Sequence, residues 1–570
     1  MKPSKSWKGF AILFVLLVTA AVYPLQGQNN VLVIEGGTLI DGTGRAPVPD
    51  SVVVIEGQRI RSVGTRGSVR IPAGAQVIRA EGKTVLPGLI DAHVHFLDFM
   101  PQLFLHYGVT TVYDTANPTD WILAQRDALN SGKIKGPRMF VTGAIIDGPP
   151  EEALALTFAA RAAYRIHTSS PEEAREATRR LIAQGVDAIK VYEGLDIPSL
   201  AAVVDEAHKA GLEVVGHTPD AKQAIAVGLK FIEHPAPIIH STLDNPANGE
   251  ALIDRTLPNP ETHANPALFG PMIAMMVENG VYFNPTFTRN IPESREWFDM
   301  VKDLLESPSA RFITEARREA WLADIRKADT ADYPARMRRR AELLQKVHEF
   351  TRRFAQAGGK VITGPDSGPR SSPTNIAGLA MGVEMEGLIN AGLTPMQAIL
   401  ASTKWPAEFI HKEKDLGTVE PGKLADVIVV DGDPLADIHS IAKVQTVILD
   451  GKVVDTRLDP NFRNPLPRTF YVDTPYEDRA PVISGISPGT ARAGNAGLTV
   501  ALHGERFTPQ TVVRFDVSDV PAQFVNDSTL RVTLGSAQLR NTGTYAITVQ
   551  NPGSGGGPSN PVYFLVNFPE

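Results

Sequence analysis

The chain has 570 residues, 43% hydrophobic and 21% charged, with a formal net charge of -7; this excludes a disordered or fibrous chain and leaves no basic footprint for nucleic acid. It has no cysteine, which excludes a disulfide framework, thiolate metal ligands and a lipidated cysteine anchor. The length predicts several domains rather than one.

Lys2, Lys5 and Lys8 precede an uncharged apolar run over 9–23 that ends at Pro24. A basic head followed by a short apolar core reads as a secretory leader over 1–27. The run is shorter than the roughly 20 residues a membrane-crossing helix requires, so no stable membrane span is expected once the leader is removed. The expected location is periplasmic or extracellular.

Short β-type runs at 31–34, 52–55, 59–63 and 75–78 alternate with Gly, Asp and Pro turns, and similar runs return at 426–430 and 444–454. The segments 30–85 and 418–456 are therefore expected to complete one β-sandwich, with the chain between them inserted. Over 86–417 the pattern becomes apolar runs separated by helical segments, as in parallel α/β structure. The candidate strands are 88–95, 109–114, 138–142, 188–192, 213–217, 231–234, 281–285 and 361–366. Eight of them predict a (β/α)8 TIM barrel with its site at the C-terminal strand ends. The charged stretch 289–356 reads as a helical excursion with solvated faces. Residues 457–480 read as a linker, and 481–568 as a second, immunoglobulin-like β-sandwich.

The first barrel run carries His93 and His95, which a strand projects to one side, so that both can hold one ion. Other strand ends carry Lys190, His217, His234 and Asp366. Each alone has a plain reading: a satisfied core histidine, a surface lysine, a helix N-cap. Together, at converging strand ends, they read as one metal site. An ammonium group repels cations, but a neutral lysine amine can add carbon dioxide, and the resulting carbamate is an oxygen donor able to bridge two ions. Metal-held hydroxide is then the expected nucleophile, with Asp366 binding one ion and shuttling the proton.

The segments Leu86-Pro87-Gly88-Leu89-Ile90-Asp91-Ala92-His93-Val94-His95, Ile189-Lys190-Val191, Val215-Gly216-His217, Ile232-Glu233-His234, Thr363-Gly364-Pro365-Asp366 and Glu420-Pro421-Gly422-Lys423-Leu424-Ala425-Asp426 resemble, in order, the metal-dependent amidohydrolase superfamily. The resemblance is to its branch of imidazolonepropionase and Xaa-Pro dipeptidases with a carboxylated lysine. It implies two divalent metal ions, with zinc expected: His93, His95 and Asp366 on one, His217 and His234 on the other, and carbamylated Lys190 bridging. It further implies cleavage of an amide or cyclic amide C–N bond in a small molecule or short peptide. An esterase, lactonase or phosphotriesterase on the same metals is the alternative, and a non-catalytic secreted binding or scaffold protein is an alternative of another class. Dipeptidase-like relatives often carry a histidine after the third strand, where this chain reads Val141-Thr142-Gly143-Ala144, which argues against a dipeptide substrate. Tyr192, Asn284 and Arg289 are the expected substrate contacts, and His208 is read as structural. Residues 481–568 resemble an IPT/TIG domain, a module of surface or protein contact. Homo-oligomerisation is left open.

Overall fold

The computed structural model describes residues 31–149, 164–253, 256–289, 295–328, 330, 332–368, 375–466, 481–541, 543–552 and 559–567. The leader expected over 1–27 lies outside them. Among the described residues no helix is long and apolar enough to cross a membrane.

Val- and Ile-rich runs on either side of the central region build two facing sheets. Val31–Glu35 pairs antiparallel with Ser51–Glu56 and parallel with Gln76–Arg79, and Arg59–Thr65 completes a four-stranded sheet. In the facing five-stranded sheet Lys83–Pro87 pairs antiparallel with Val427–Asp431, which pairs with Val444–Leu449. Leu32, Ile34, Val53 and Ile55 from the first sheet share one buried cluster with Val85, Val427, Val429 and Ile448 from the second. Sequence segments far apart thus close one core.

Between these sheets the chain forms parallel strands. Leu89–Val94, Val109–Asp114 and Arg138–Val141 make a three-stranded sheet. Ile189–Val191, Val214–Gly216, Phe231–Glu233, Tyr282–Asn284 and Lys360–Val361 pair in that order. All eight expected strands are present. Two more, Ile145–Asp147 and Arg165–His167, extend the second sheet to seven strands; three-residue strands of this kind carry too little pattern to be read from sequence. Main-chain hydrogen bonds join the two sheets at both edges of the three-stranded one: Asp187 N donates to Val141 O at 2.8 Å, and His95 N donates to Ser367 O at 2.7 Å. Ala92, Tyr113, Ala188, Val215, Phe231 and Ile362 pack with Phe409 in one buried layer, leaving the polar strand ends to the other side.

Capping residues start the intervening helices where the sequence places them. Ser170 accepts from Glu173 N ahead of Pro171–Gln184, Asp196 from Ser199 N ahead of Ile197–Lys209, and Asp220 from Gln223 N ahead of Ala221–Ala226. The excursion is helical as expected, with Arg295–Glu306, Glu315–Ala328 and Tyr333–Gln356.

The first half of the expected linker is not free chain. Gln102 exchanges two hydrogen bonds with the Asp459 backbone, Trp121 Nε1 and Gln125 Nε2 both donate to Leu466 O, and Asn464 Nδ2 donates to Asp98 O. Leu458, Phe462 and Leu466 pack on the main core. Beyond it, Gly497–Glu505, Thr529–Gly535, Gly543–Gln550 and Val562–Asn567 are strands of two largely antiparallel sheets that enclose a separate core around Val500, Leu502, Val532, Ile547 and Phe564.

Candidate active site

The strand ends bring His93, His95, Lys190, His217, His234 and Asp366 together. Asp366 Oδ1 lies 3.1 Å from His95 Nε2 and 3.6 Å from His93 Nε2. The rings of His93 and His234 are 5.2 Å apart, and those of His217 and His234 4.5 Å. Lys190, 1% exposed, forms an ion pair with Glu233, which is fully buried and also lies 3.5 Å from His217 Nε2 and 3.8 Å from His93 Nδ1. Burial pushes the Glu233 carboxyl up, against the lowering pull of Lys190.

Glu233 is the residue that sequence reasoning missed. Inward-facing residues alternate along each parallel strand, and Phe231 faces the interior layer with Ala188 and Val215, so Glu233 shares its face, as Lys190 shares that of Ala188. The available signal was a carboxylate inside an otherwise apolar central strand, which needs a buried cation as partner. His234, next in sequence, also enters the site because its backbone turns to φ 63°. Thr286 and Asp366 take φ 51° and 58° at neighbouring strand ends. Such left-handed conformations are costly for residues other than glycine, and they cluster where a site over-determines them.

A second ring of groups fixes the histidines. Glu193 Oε1 lies 3.2 Å from His217 Nδ1, and Thr286 Oγ1 lies 2.9 Å from His234 Nδ1. Asp91, beneath the site, accepts from His93 N at 3.1 Å, and burial pushes its carboxyl well above the usual range. Asn284 is fully buried: its amide donates to Gly364 O at 3.0 Å and approaches His93 Nδ1 at 3.5 Å, and its Oδ1 accepts from Thr286 N. Those contacts give Asn284, expected from sequence as a substrate contact, a positioning role among the strand ends. Arg289 ends the short helix Phe287–Arg289, and its side chain lies outside the described residues. Tyr192 stacks on His217 at 4.4 Å and lines the cavity beside it. His208 lies 3.6 Å from Glu213 on the opposite side of the strands, away from these groups.

The donor set fits divalent cations. His93, His95 and Asp366 offer donor atoms all within 4.8 Å of one another, and so do His93, Glu233 and His234. Imidazole nitrogens and carboxylate oxygens suit zinc and related ions, and imidazole rings whose other nitrogen is held by a carboxylate or hydroxyl are the usual outer support of such sites.

Parallel strands that gather imidazole and carboxylate side chains at their C-terminal ends are an arrangement found in metal-dependent hydrolases. Residues 84–454 match the amidohydrolase family model, and the chain belongs to that family, which makes it a hydrolase of carbon–nitrogen bonds. Residues 481–566 match the IPT/TIG domain. An imidazolonepropionase of Streptomyces coelicolor is 25% identical over 403 residues, covering 70% of this chain and 90% of the relative. Among solved structures, a Xaa-Pro dipeptidase with bound methionine shares the fold at TM-score 0.54 and 24% identity, over 75% of this chain and 100% of that one. Molinate hydrolase is 25% identical with TM-score 0.53, over 75% and 95%.

Proposed function

We propose that this protein is an exported binuclear amidohydrolase that cleaves an amide or cyclic amide C–N bond of a small molecule or short peptide. The carrying observation is the convergence of His93, His95, His217, His234 and Asp366 around the buried Lys190. In this reading the two parallel sheets form one closed (β/α)8 barrel over 86–417. The sandwich built from 30–85 and 418–456 flanks it, residues 457–480 lead to the IPT/TIG domain at 481–568, and a leader over 1–27 directs export. The IPT/TIG domain is assigned to surface or protein contact.

His93, His95 and Asp366 would hold one ion, His217 and His234 the other, with Lys190 as a bridging carbamate; zinc suits these donors. A bound divalent cation supplies a lowered water pKa and polarisation of the scissile carbonyl. The chain does the rest. Glu193 and Thr286 orient His217 and His234 through their Nδ1 atoms. Asp366 Oδ1 stands beside both first-strand imidazoles, placed to take a proton from water and deliver it to the leaving nitrogen. The Tyr192 hydroxyl, at the cavity wall, is the group available to a developing oxyanion.

The Lys190–Glu233 ion pair favours a second reading of the bridge, in which the Glu233 carboxylate is the anionic ligand and Lys190 remains an ammonium counterion. Metal analysis of zinc-loaded protein separates the two. If the carbamate bridges, Lys190→Ala lowers the content from two ions toward one, bicarbonate aids reconstitution, and Glu233→Gln retains both ions. If Glu233 bridges, Glu233→Gln is the variant that loses an ion. Assays on N-acyl amino acids, dipeptides, lactones and aryl esters test the reaction itself, and turnover of esters alone overturns the amide reading.

A further inference from the structure

Beside the ligand set stands a stack of side chains that includes an arginine far from any ion-binding role. Tyr192, 6% exposed, lines a cavity of about 280 Å³ together with His217 and His234. Its ring stacks on His217 with centres 4.4 Å apart and planes 22° apart. The Arg165 guanidinium lies over the same tyrosine ring, 4.1 Å from its centre. A guanidinium is drawn to the electron-rich face of an aromatic ring, and the attraction grows where both are removed from water. Here both are, since the Arg165 side chain is only 11% exposed.

Arg165 is itself fixed. It is ion-paired with the buried Asp147, whose Oδ1 also accepts from Gly148 N at 2.9 Å and from Gly194 N at 3.0 Å. Gly194 lies two residues beyond Tyr192, so one carboxylate holds both the turn that carries the tyrosine and the cation that lies on its ring. Tyr192 N donates to Ile146 O at 3.1 Å, which ties the main chain of the same residue to the strand that ends in Asp147. The two turns meet backbone to backbone: a Cβ at Gly148 would stand 1.6 Å from Gly194 O, so no side chain fits there.

We infer that Arg165, anchored by Asp147, is the positioning residue for Tyr192: it holds the phenol ring against His217 so that the hydroxyl faces the developing oxyanion. The inference rests on the hydrolase reading above and adds to it the device that orients the oxyanion donor. A donor fixed in advance needs no reorganisation at the moment of reaction, and that is the source of its catalytic effect. A free tyrosine side chain turns about two bonds, and a misplacement of about 1 Å is enough to cost roughly 100-fold in rate. A buried ion pair adds little stability of its own; what this one secures is the place of a ring. Lysine can replace arginine as the partner of Asp147 but cannot lay a planar group on that ring, so exchanging the two separates the ion pair from the stack.

The test is a double-mutant cycle on zinc-loaded full-length protein, with Arg165→Lys and Tyr192→Phe made alone and together. The substrate is whichever N-acyl amino acid, dipeptide, lactone or aryl ester the unaltered protein turns over fastest. Tyr192→Phe keeps the ring and removes the hydroxyl, and kcat should fall about 10²- to 10³-fold. Arg165→Lys should lower kcat by about tenfold or more, with KM, zinc content and melting temperature nearly unchanged. In the Tyr192→Phe background the same change should cost less than about twofold, because the group it positions is gone. Full activity of Tyr192→Phe, equal losses in both backgrounds, a loss confined to KM, or no loss from Arg165→Lys overturns the inference. Arg165→Gln, which can still donate to Asp147, takes the place of the lysine variant in the cycle if that one does not fold. If the unaltered protein hydrolyses none of these compounds, the crystal structure of the zinc-loaded Arg165→Lys protein decides. A Tyr192 ring displaced from His217 then upholds the positioning role while the hydrolytic reading fails, and an unmoved ring overturns it.

Discussion

Asp366 combines three properties that make it the sharpest single probe of the site. It is buried, it contacts both first-strand histidines, and its backbone is left-handed at φ 58°. Asparagine tolerates that conformation better than other L residues, so Asp366→Asn removes the charge while keeping the backbone. Loss of a proton-shuttling carboxylate costs typically about 10²- to 10⁴-fold in kcat. The expected outcome is therefore a folded protein with an almost unchanged melting temperature and a kcat reduced by that range, read by calorimetry and steady-state kinetics. Asp366→Ala should lose stability as well, because alanine bears the strained φ without a polar side chain to support it. The place of Asp366 beside the first-strand histidines was legible in the sequence, since Thr363-Gly364-Pro365-Asp366 ends an apolar run. Its backbone strain was not, because nothing in a sequence separates an aspartate that caps a helix from one turned into a site. The same limit hid Glu233: strict alternation from His234 sends it outward, and only the φ 63° turn at His234 lets both residues face in.

The turn after the strand Tyr282–Asn284 ties together residues from three other strand ends. Asn284 holds Gly364 and approaches His93, Thr286 holds His234, and Thr288 Oγ1 donates to Pro365 O at 2.7 Å, next to Asp366. Behind it, in the helix Leu379–Asn390, the fully buried Glu384 accepts from Thr288 N at 3.0 Å, and the backbone amides of Phe287 and Thr286 favour its charged form. Burial pushes the Glu384 carboxyl up to about 7 despite those amides. A carboxyl that binds its proton more tightly in the folded than in the unfolded chain adds stability below its ordinary value of 4.5, and that contribution disappears as pH rises through about 7. Its full size is roughly 3 kcal/mol. Glu384→Gln cannot titrate, so its stability relative to the unaltered protein should climb between those two pH values, as measured by denaturant unfolding across the range. A pH-independent difference would assign the group a constant charge. Glu384→Ala removes the acceptor altogether and should weaken metal affinity by loosening the turn, a change that equilibrium dialysis with zinc detects. Strands and their order could be read from apolar runs; this turn could not, because its links are tertiary and its residues carry no periodic pattern.

At the scale of the whole molecule, the chain folds around cores with different degrees of independence. The sandwich at its two ends cannot separate from the hydrolase region, since Lys83–Pro87 runs directly into the first parallel strand and pairs with Val427–Asp431, while Arg138 binds both Asp426 and Asp450. The strap at 457–466 is likewise fastened to the helices Pro101–His106 and Thr119–Asn130. The IPT/TIG sandwich is different: its core around Leu502, Val532 and Phe564 is a closed cluster of its own, although Gly543–Gln550 lies beside the strand Arg165–His167. Independent cores predict independent unfolding, so heating the full chain should give two transitions. Leu502 is fully buried, and Leu502→Ala should destabilise the IPT/TIG transition by about 2–5 kcal/mol through lost burial and a residual cavity. On the proposed metal site, zinc should raise the other transition and leave this one in place. Scanning calorimetry of both proteins with and without zinc decides the matter. If Leu502→Ala lowers both transitions together, or zinc raises both, the contact at Arg165–His167 couples the two bodies strongly, and the C-terminal sandwich is then part of the wall that holds Arg165 against Tyr192 rather than a separate contact module.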